Sequence, residues 1–157
     1  MHVDFRRRRL LQAGTLAALA TTLPGFARTP DLDATSTAED ATAGLDLRGR
    51  TIVVTGCNSG IGQETMRVLA LRGAHVIGTA RSRASGEAAC AAVEGHATPV
   101  VLDLADFDSI VAASDVIRAL DVPVDALVCN AGVVLDNLEQ VRGIEKTFVV
   151  NHLGHYL

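Results

Sequence analysis

The segment from Thr51 to Gly62 constrains the fold of this chain more than any other part of its sequence. Residues 51–54 are apolar or β-branched, and glycines follow in a G-x-x-x-G-x-G spacing before a helical pattern begins. A strand that runs through such a turn into a helix presents unpaired helix N–H groups, which bind phosphate. Gly56 would permit the tight turn, Gly60 the close approach of a pyrophosphate, and Gly62 the packing of helix on strand. The segment therefore predicts a dinucleotide-binding α/β unit.

Strand and helix patterns alternate along the rest of the chain. Asp106 is placed to cap the third helix, and Gly73 is placed to end the first. Repeated strand–helix–strand units imply right-handed crossovers and a parallel sheet. Residues 45–157 are thus expected to form the N-terminal part, with about four strands, of a Rossmann-type doubly wound parallel sheet. The predicted strands are 51–54, 75–78, 98–102 and 126–129, and the predicted helices are 61–72, 85–93, 106–120 and a last one from about Val141 to the end.

Composition and charge narrow the functional classes. The chain is 48% hydrophobic but only 3% aromatic, which suits a buried parallel sheet covered by Ala-rich helices. Residues 28–157 hold 10 basic and 17 acidic side chains, a net charge of −7. A domain with this negative charge would repel the phosphate backbone of a nucleic acid. Nucleic acid is therefore not an expected partner. Three cysteines without a C-x-x-C pair indicate neither a disulfide framework nor a zinc site.

Residues 1–27 have the pattern of a targeting peptide. Four arginines, 6–9, precede an uncharged run from Leu10 to Leu23 that is too short to span a bilayer, and Gly25-Phe26-Ala27 offers a cleavage site. The arginines and the apolar residues after them resemble the twin-arginine export signal. This predicts a periplasmic or extracellular protein without a stable membrane span. A mitochondrial-type presequence or an amphipathic helix of a cytoplasmic protein is the alternative.

Residues 28–44 are predicted to be a disordered linker between the signal and the domain. They are rich in Thr, Ala and acidic residues and contain no aromatic residue. Such a segment buries too little apolar surface to offset the entropy lost on ordering.

Three further motifs follow the glycine-rich turn in order. Asp103-Leu104 follows the third strand, and Asn130-Ala131-Gly132 closes the fourth, with Cys129 before it. Residues 143–155 then contain Gly143, Glu145, Phe148 and the run Val150-Asn151-His152-Leu153-Gly154-His155. Together with the glycine spacing, these motifs resemble the short-chain dehydrogenase/reductase family, in its retinol-dehydrogenase-like and WW-domain-oxidoreductase-like branch. The resemblance covers residues 45–157.

The resemblance implies a nicotinamide cofactor and names the residues that would bind it. Asp103 would meet the adenine ring, and Asn151 would be the asparagine of the family's Asn-Ser-Tyr-Lys tetrad, which holds a water in a proton relay. Asn in a helix interior is mildly unfavourable and needs a side-chain partner. The expected cofactor-binding residues are Gly56, Asn58, Ser59, Gly60, Ile61, Gly62, Arg81, Asp103, Leu104, Asn130, Ala131 and Gly132.

The residues after the second strand indicate which cofactor is bound. NAD(H) would require an acidic residue there to accept from the ribose 2′-OH, but no acid occurs between residue 78 and Glu87. Arg81 can instead face a 2′-phosphate with charge-assisted hydrogen bonds. NADP(H) is therefore expected in preference to NAD(H). A solvated loop arginine is the alternative interpretation of Arg81.

The family's catalytic Tyr-x-x-x-Lys pair does not occur in this sequence. The only Lys, Lys146, precedes the only Tyr, Tyr156, which is assigned to packing. The pair is expected beyond Leu157, because strand 126–129 would otherwise be a bare apolar edge that invites aggregation. Residues 45–157 alone are accordingly expected to be insoluble or molten and inactive. A non-catalytic NADP-binding module, or a structural domain that binds nothing, are the alternatives to an oxidoreductase.

Several finer properties stay open. The substrate is a carbonyl or an alcohol, with hydrophobic alcohols, retinoids, steroids and small ketones all possible, and a full-length protein could form a homo-oligomer. His152 and His155 lack the carboxylate partner of a metal site, so no metal is expected. Cys57 and Cys129 follow neighbouring strands, and a disulfide between them requires Cα atoms within about 7 Å.

Overall fold

The computed structural model describes residues 32–157. The predicted signal peptide, residues 1–27, lies outside them, as does the start of the predicted linker. Within residues 32–44, Ala38–Ala41 form a short helix, α1, which Thr37 and Asp40 cap reciprocally. Glu39 anchors this turn to the next helix through an ion pair with Arg67 at 2.8 Å. Local polar contacts thus order a segment that has few apolar residues.

Four parallel strands form the main sheet, as the alternating pattern predicts. The strands are β1 (Thr51–Val54), β2 (His75–Ala80), β3 (His96–Val101) and β4 (Ala126–Val128), in the spatial order β3-β2-β1-β4. The helices between them are α2 (Gly60–Leu71), α3 (Arg83–Ala91) and α4 (Phe107–Ala119). This is the first half of a doubly wound Rossmann-like fold with its order reversal between β1 and β4.

The capping signals act as predicted at two helices. The Asp106 side chain accepts from the Asp108 N–H at the start of α4. Gly73, with a φ of +94°, follows the end of α2. At α3 the helix begins two residues before the predicted start, because the Ser82 side chain caps it by accepting from the Ser85 N–H.

Two apolar layers cover the sheet, and alternate residues of one strand supply both. Ile52 and Val54 of β1 pack with Met66 of α2 on one face, whereas Val53 packs with Ala113 of α4 on the other. A strand covered on both faces is apolar throughout, which explains the continuous burial of β1. Within residues 32–157, β4 pairs with β1 alone, and Leu127 is 55% exposed.

The prediction that the last helix begins near Val141 is wrong. Gln140–Val141 (β5) and Ile144–Glu145 (β6) form a small antiparallel hairpin instead. Arg142 and Gly143 turn the chain with φ values of +52° and +79°, the left-handed geometry of a tight two-residue hairpin. Helical structure starts at Lys146 and continues through α5 (Lys146–Phe148), a π-helical turn (Val149–Leu153) and α6 (Gly154–Tyr156).

Two histidines stack at the amino end of the sheet, opposite the glycine-rich turn. The His75 and His96 rings lie 3.8 Å apart at an interplanar angle of 8°, and His75 Nε2 is 2.8 Å from Thr98 Oγ1. Burial, followed by repulsion from His96, lowers the pKa of His75 below its ordinary value of 6.5. The folded state therefore disfavours the protonated form of this ring.

Stability should consequently depend on pH through His75. Because the unfolded chain binds the proton more readily, the contribution to stability is complete above pH 6.5 and is lost as the pH falls towards the folded-state pKa. We expect His75→Gln, which can still bond Thr98, to reduce the loss of unfolding free energy between about pH 7.5 and pH 5. Urea denaturation of both proteins at the two pH values measures their free energies of unfolding. Identical pH slopes for the two proteins would exclude His75 as the source.

Candidate cofactor-binding site

The carboxyl ends of β1, β2, β3 and β4 open into one cleft of about 480 Å³. Every predicted cofactor-binding residue except Gly60 lines it: Gly56, Asn58, Ser59, Ile61, Gly62, Arg81, Asp103, Leu104, Asn130, Ala131 and Gly132. Gly60 lies within the same turn and has a φ of +58°. The structure thus brings together residues that are up to 76 positions apart in the sequence, since Gly56 and Gly132 are both in the lining.

The start of α2 faces this cleft without a side-chain cap. Ser59 occupies the N-cap position in an extended conformation, but its side chain makes no capping hydrogen bond. The N–H groups of the first helical turn, which have no partner within a helix, are therefore available to a ligand. With the helix dipole, they favour a phosphate group at this position.

The glycines create space that a side chain would close. A Cβ at Gly62 would lie 2.1 Å from the Gly56 carbonyl oxygen and 2.4 Å from Asn130 Nδ2, so helix and turn pack in direct contact. A Cβ at Gly60 would meet no atom within 4 Å and would project into open space. The backbone of this turn is therefore accessible to a large anionic group, and the donors present fit a dinucleotide pyrophosphate.

Asn130 ties the turn after β4 to the turn after β1. Its Nδ2 donates to the Thr55 carbonyl at 2.8 Å and lies 3.3 Å from the Gly56 carbonyl. The backbone N–H groups of Asn130 and Ala131 both donate to the Thr55 hydroxyl, at 3.0 and 2.9 Å. The two walls of the cleft are thus held together by polar contacts at the point where strand order reverses.

Asn151 is joined to the cleft through its neighbour rather than lining it. Its Oδ1 accepts from the Val133 N–H at 2.8 Å, and its Nδ2 donates to the Val133 carbonyl at 2.9 Å. These bonds provide the side-chain partner that Asn in a helix requires. The π-helical turn at Val149–Leu153 contains Asn151, and such turns are frequent at functional sites.

Charged groups differ in their pairing around the cleft. Arg81 lines it, is exposed, and makes no ion pair with a carboxylate in the described part of the chain. Lys146 also lines it, but its Nζ pairs with Glu139 at 2.8 Å. Asp103 Oδ1 accepts from the Ala105 N–H at 2.9 Å, which fixes the carboxylate at the end of β3.

Sequence reasoning missed several residues of this region. Thr55, Val133, Lys146 and Val150 line the cleft or hold it together, and the buried Thr79 hydroxyl lies 3.3 Å from the Gly56 N–H. Thr55 directly precedes the first glycine of the motif, which was the available signal. The others are recognisable only from long-range contacts.

The three cysteines are free in the structure. Cys57 is buried, its Sγ lies 3.1 Å from the Val54 carbonyl, and burial raises its pKa to about 12. Cys129 is exposed. Cys57 is therefore a packing residue with a protonated, unreactive thiol.

Among residues 32–157, no three His, Cys, Asp or Glu side chains group closely enough to hold a metal ion. Over the same residues, no helix has both the length and the apolar character needed to cross a membrane.

The fold and the cleft define a dinucleotide-binding α/β domain of the Rossmann type. Residues 50–157 match the family model described as short chain dehydrogenase, and the chain belongs to that family. It is 41% identical over 130 residues to the human WW domain-containing oxidoreductase. The aligned region covers 79% of this chain and 31% of the human protein. The chain is also 38% identical over 128 residues to the chloroplastic short-chain dehydrogenase TIC 32 B of Brassica napus, with coverages of 78% and 40%.

Solved structures show the same architecture. A crystal structure of a Mycobacterium paratuberculosis protein superposes with a TM-score of 0.66 at 38% identity, covering 73% of this chain and 42% of that protein. The citronellol catabolism dehydrogenase of Pseudomonas aeruginosa PAO1 gives a TM-score of 0.61 at 30% identity, with coverages of 71% and 48%. The chain thus spans between 31% and 40% of the two curated relatives and less than half of these two structures.

Proposed function

We propose that the cleft binds NADP(H) and that the chain provides the cofactor-binding part of an oxidoreductase. The reaction is hydride transfer between NADP(H) and a carbonyl or alcohol substrate. The observation that carries the proposal is the convergence of the glycine-rich turn, Arg81, Asp103 and Asn130 on one cleft at the uncapped start of α2. Family membership independently implies a nicotinamide cofactor, either NAD or NADP.

Each part of the cleft has a role in this proposal. The N–H groups at the start of α2 bind the pyrophosphate, and the space above Gly60 admits it. Asp103, held by the Ala105 N–H, faces the adenine end. Asn130 and Ala131 form one wall of the cleft and contact Gly56. The nicotinamide, when bound, supplies or accepts the hydride.

Arg81 is the residue proposed to select NADP(H) over NAD(H). It is free of carboxylates in the described part of the chain, so its guanidinium can meet a 2′-phosphate without breaking an existing ion pair. We expect Arg81→Asp to weaken NADPH binding about tenfold to a hundredfold, since a charge-assisted hydrogen bond contributes about 1.5–3 kcal/mol. NADH, whose 2′-OH an aspartate can accept from, should bind equally well or better. Fluorescence titration with each nucleotide measures both constants.

Arg83 provides a control of the same charge two positions away. It lies outside the cleft lining and is 3.8 Å from Glu87 along α3. Arg83→Asp should leave the ratio of the two dissociation constants close to that of the unmodified protein. Equal affinity of the unmodified protein for NADPH and NADH, or equal effects of both substitutions, would refute the role given to Arg81.

The chemical step requires a Tyr-x-x-x-Lys pair, and the given sequence does not contain one. We propose that a Tyr-x-x-x-Lys pair and a Ser follow Leu157 in the complete protein, and that the Tyr exchanges the proton at the substrate oxygen. Asn151 belongs to the same proposal as a positioning residue. Its side chain secures the segment after Gly132 through both of its bonds to the Val133 backbone.

The proposed cellular site follows from residues 1–27, which lie outside the described residues. We propose export by the twin-arginine route, which accepts folded cargo and so would allow the cofactor to be carried along. The proposed partner is a small carbonyl or alcohol molecule.

A further inference from the structure

The Thr55 hydroxyl, directly after β1, has four polar neighbours. Thr55 is buried at the end of β1, with 3% of its surface exposed. Its Oγ1 accepts from the N–H groups of Asn130 and Ala131, at 3.0 and 2.9 Å. The Asn130 N–H also donates to the Val128 carbonyl at 3.0 Å, and that carbonyl accepts from the Thr55 N–H as well. A hydroxyl oxygen has two lone pairs, so the Asn130 and Ala131 N–H groups occupy its full accepting capacity. The hydroxyl proton must therefore point to a different acceptor.

Two acceptors lie within reach of that proton. His155 Nε2 is 2.9 Å from Thr55 Oγ1, and the Val128 carbonyl is 3.4 Å away. The shorter contact lies within the usual range for a hydrogen bond and the longer one near its limit. Thr55 is consequently the donor and His155 Nε2 the acceptor, which requires a neutral imidazole protonated at Nδ1.

The surroundings of Nδ1 agree with this tautomer. Nδ1 is buried and makes no hydrogen bond of good geometry with the residues the structure describes. The Asn151 backbone, one helical turn earlier, stabilises a proton on the ring, whereas burial opposes its charge and lowers the pKa of His155 overall. The lowered pKa agrees with a neutral ring, and the contact of Nε2 with the Thr55 hydroxyl leaves Nδ1 to carry the ring proton.

We propose that neutral His155 is a positioning residue for the cofactor, because it accepts the Thr55 hydroxyl proton and thereby directs both Thr55 lone pairs at Asn130 and Ala131. Those two N–H groups lie at the start of the turn that forms one wall of the cleft. His155 also connects this clamp to the helical segment that bears Asn151, four residues earlier. The inference rests on the proposed function only for its effect on cofactor affinity.

Three variants of the complete protein, with the residues proposed to follow Leu157, test the inference. His155→Phe keeps an aromatic ring and removes the acceptor, whereas His155→Gln places an amide oxygen near the position of Nε2. His152→Phe is the control, because His152 is exposed on the same helical segment and stacks on Phe148 instead. We expect hydrogen exchange of the Asn130 and Ala131 amides to be about fivefold faster in His155→Phe, the value of one net hydrogen bond. Exchange should return towards the original rate in His155→Gln and stay unchanged in His152→Phe.

Two further measurements separate this inference from the proposed function. Nitrogen-15 shifts of the unmodified protein at neutral pH should show His155 protonated at Nδ1 and unprotonated at Nε2. A proton on Nε2 would overturn the inference even if His155→Phe does not fold. NADPH affinity should fall about fivefold in His155→Phe and recover in His155→Gln. Failure of the unmodified protein to bind NADPH or NADH refutes the proposed function, whereas unchanged amide exchange in His155→Phe refutes the role of His155.

Discussion

Replacing Gly62 with alanine is expected to destabilise the protein by about 3 kcal/mol or to prevent folding, the upper range for overpacking a tight contact. The added methyl group would lie 2.1 Å from the Gly56 carbonyl oxygen and 2.4 Å from Asn130 Nδ2. Neither atom can move freely, because the carbonyl is backbone and the amide also donates to the Thr55 carbonyl. The helix would have to shift away from β1, which would also separate the two walls of the cleft.

Gly86 offers a matched control in a neighbouring helix. It is also a buried helical glycine, but a Cβ there would meet Pro99 Cβ at 3.4 Å and Ala80 Cβ at 3.6 Å, close to ordinary contact distances. Gly86→Ala should therefore stabilise α3 by about 0.5–1 kcal/mol, because alanine loses less backbone entropy than glycine. Urea denaturation of both variants measures their free energies of unfolding. A Gly62→Ala protein as stable as the Gly86→Ala protein would show that the turn does not need the close contact.

Replacing Thr55 with valine is expected to cost about 2 kcal/mol of unfolding free energy and to weaken cofactor binding at the same time. Valine has the same shape but no oxygen, so the Ala131 N–H would lose its acceptor, and the Asn130 N–H would keep only the Val128 carbonyl at 3.0 Å. Leaving a partly buried donor unpaired costs about 1–3 kcal/mol, and Ala131 is half-buried. The wall of the cleft at Asn130–Gly132 would then be held mainly by the Asn130 side chain.

Thr55→Ser separates the hydroxyl from the methyl group. Serine retains the oxygen, so Thr55→Ser should keep most of the cofactor affinity that Thr55→Val loses. It should lose only the packing of one methyl group. Thermal unfolding and NADPH titration of both variants provide the comparison. If serine and valine weaken cofactor binding equally, packing rather than the hydroxyl clamp determines the position of this wall.

Local patterns predicted the elements whose determinants are local. Each of these signals determines the backbone only a few residues away. They are the apolar run of β1, the glycine spacing of the turn, the Asp106 cap and the helix end at Gly73. The hairpin at residues 140–145 was missed because Val141, Ile144 and Glu145 also fit a helix. Its turn depends on positive φ angles at Arg142 and Gly143. An Arg residue rarely adopts a positive φ, so its presence does not predict such a turn.

The candidate site divides in the same way. Its glycines and its Asn-Ala-Gly motif could be read as phosphate-binding and cleft-forming residues from spacing and resemblance. The Thr55 clamp could not, because its partners lie 75, 76 and 100 positions further along the chain. Only the pairing of β1 with β4 brings them together, and no periodicity in the sequence encodes the distance between two side chains. The same holds for Lys146, which lines the cleft directly after the unpredicted hairpin.

Calorimetric titration of the complete protein, with the residues proposed to follow Leu157, against NADPH and separately against NADH tests the binding proposal most directly. We expect saturable binding of one nucleotide per chain, tighter for NADPH, because the uncapped start of α2 and Arg81, which pairs with no carboxylate among residues 32–157, lie on one cleft. A chain that unfolds cooperatively and yet binds neither nucleotide would contradict it.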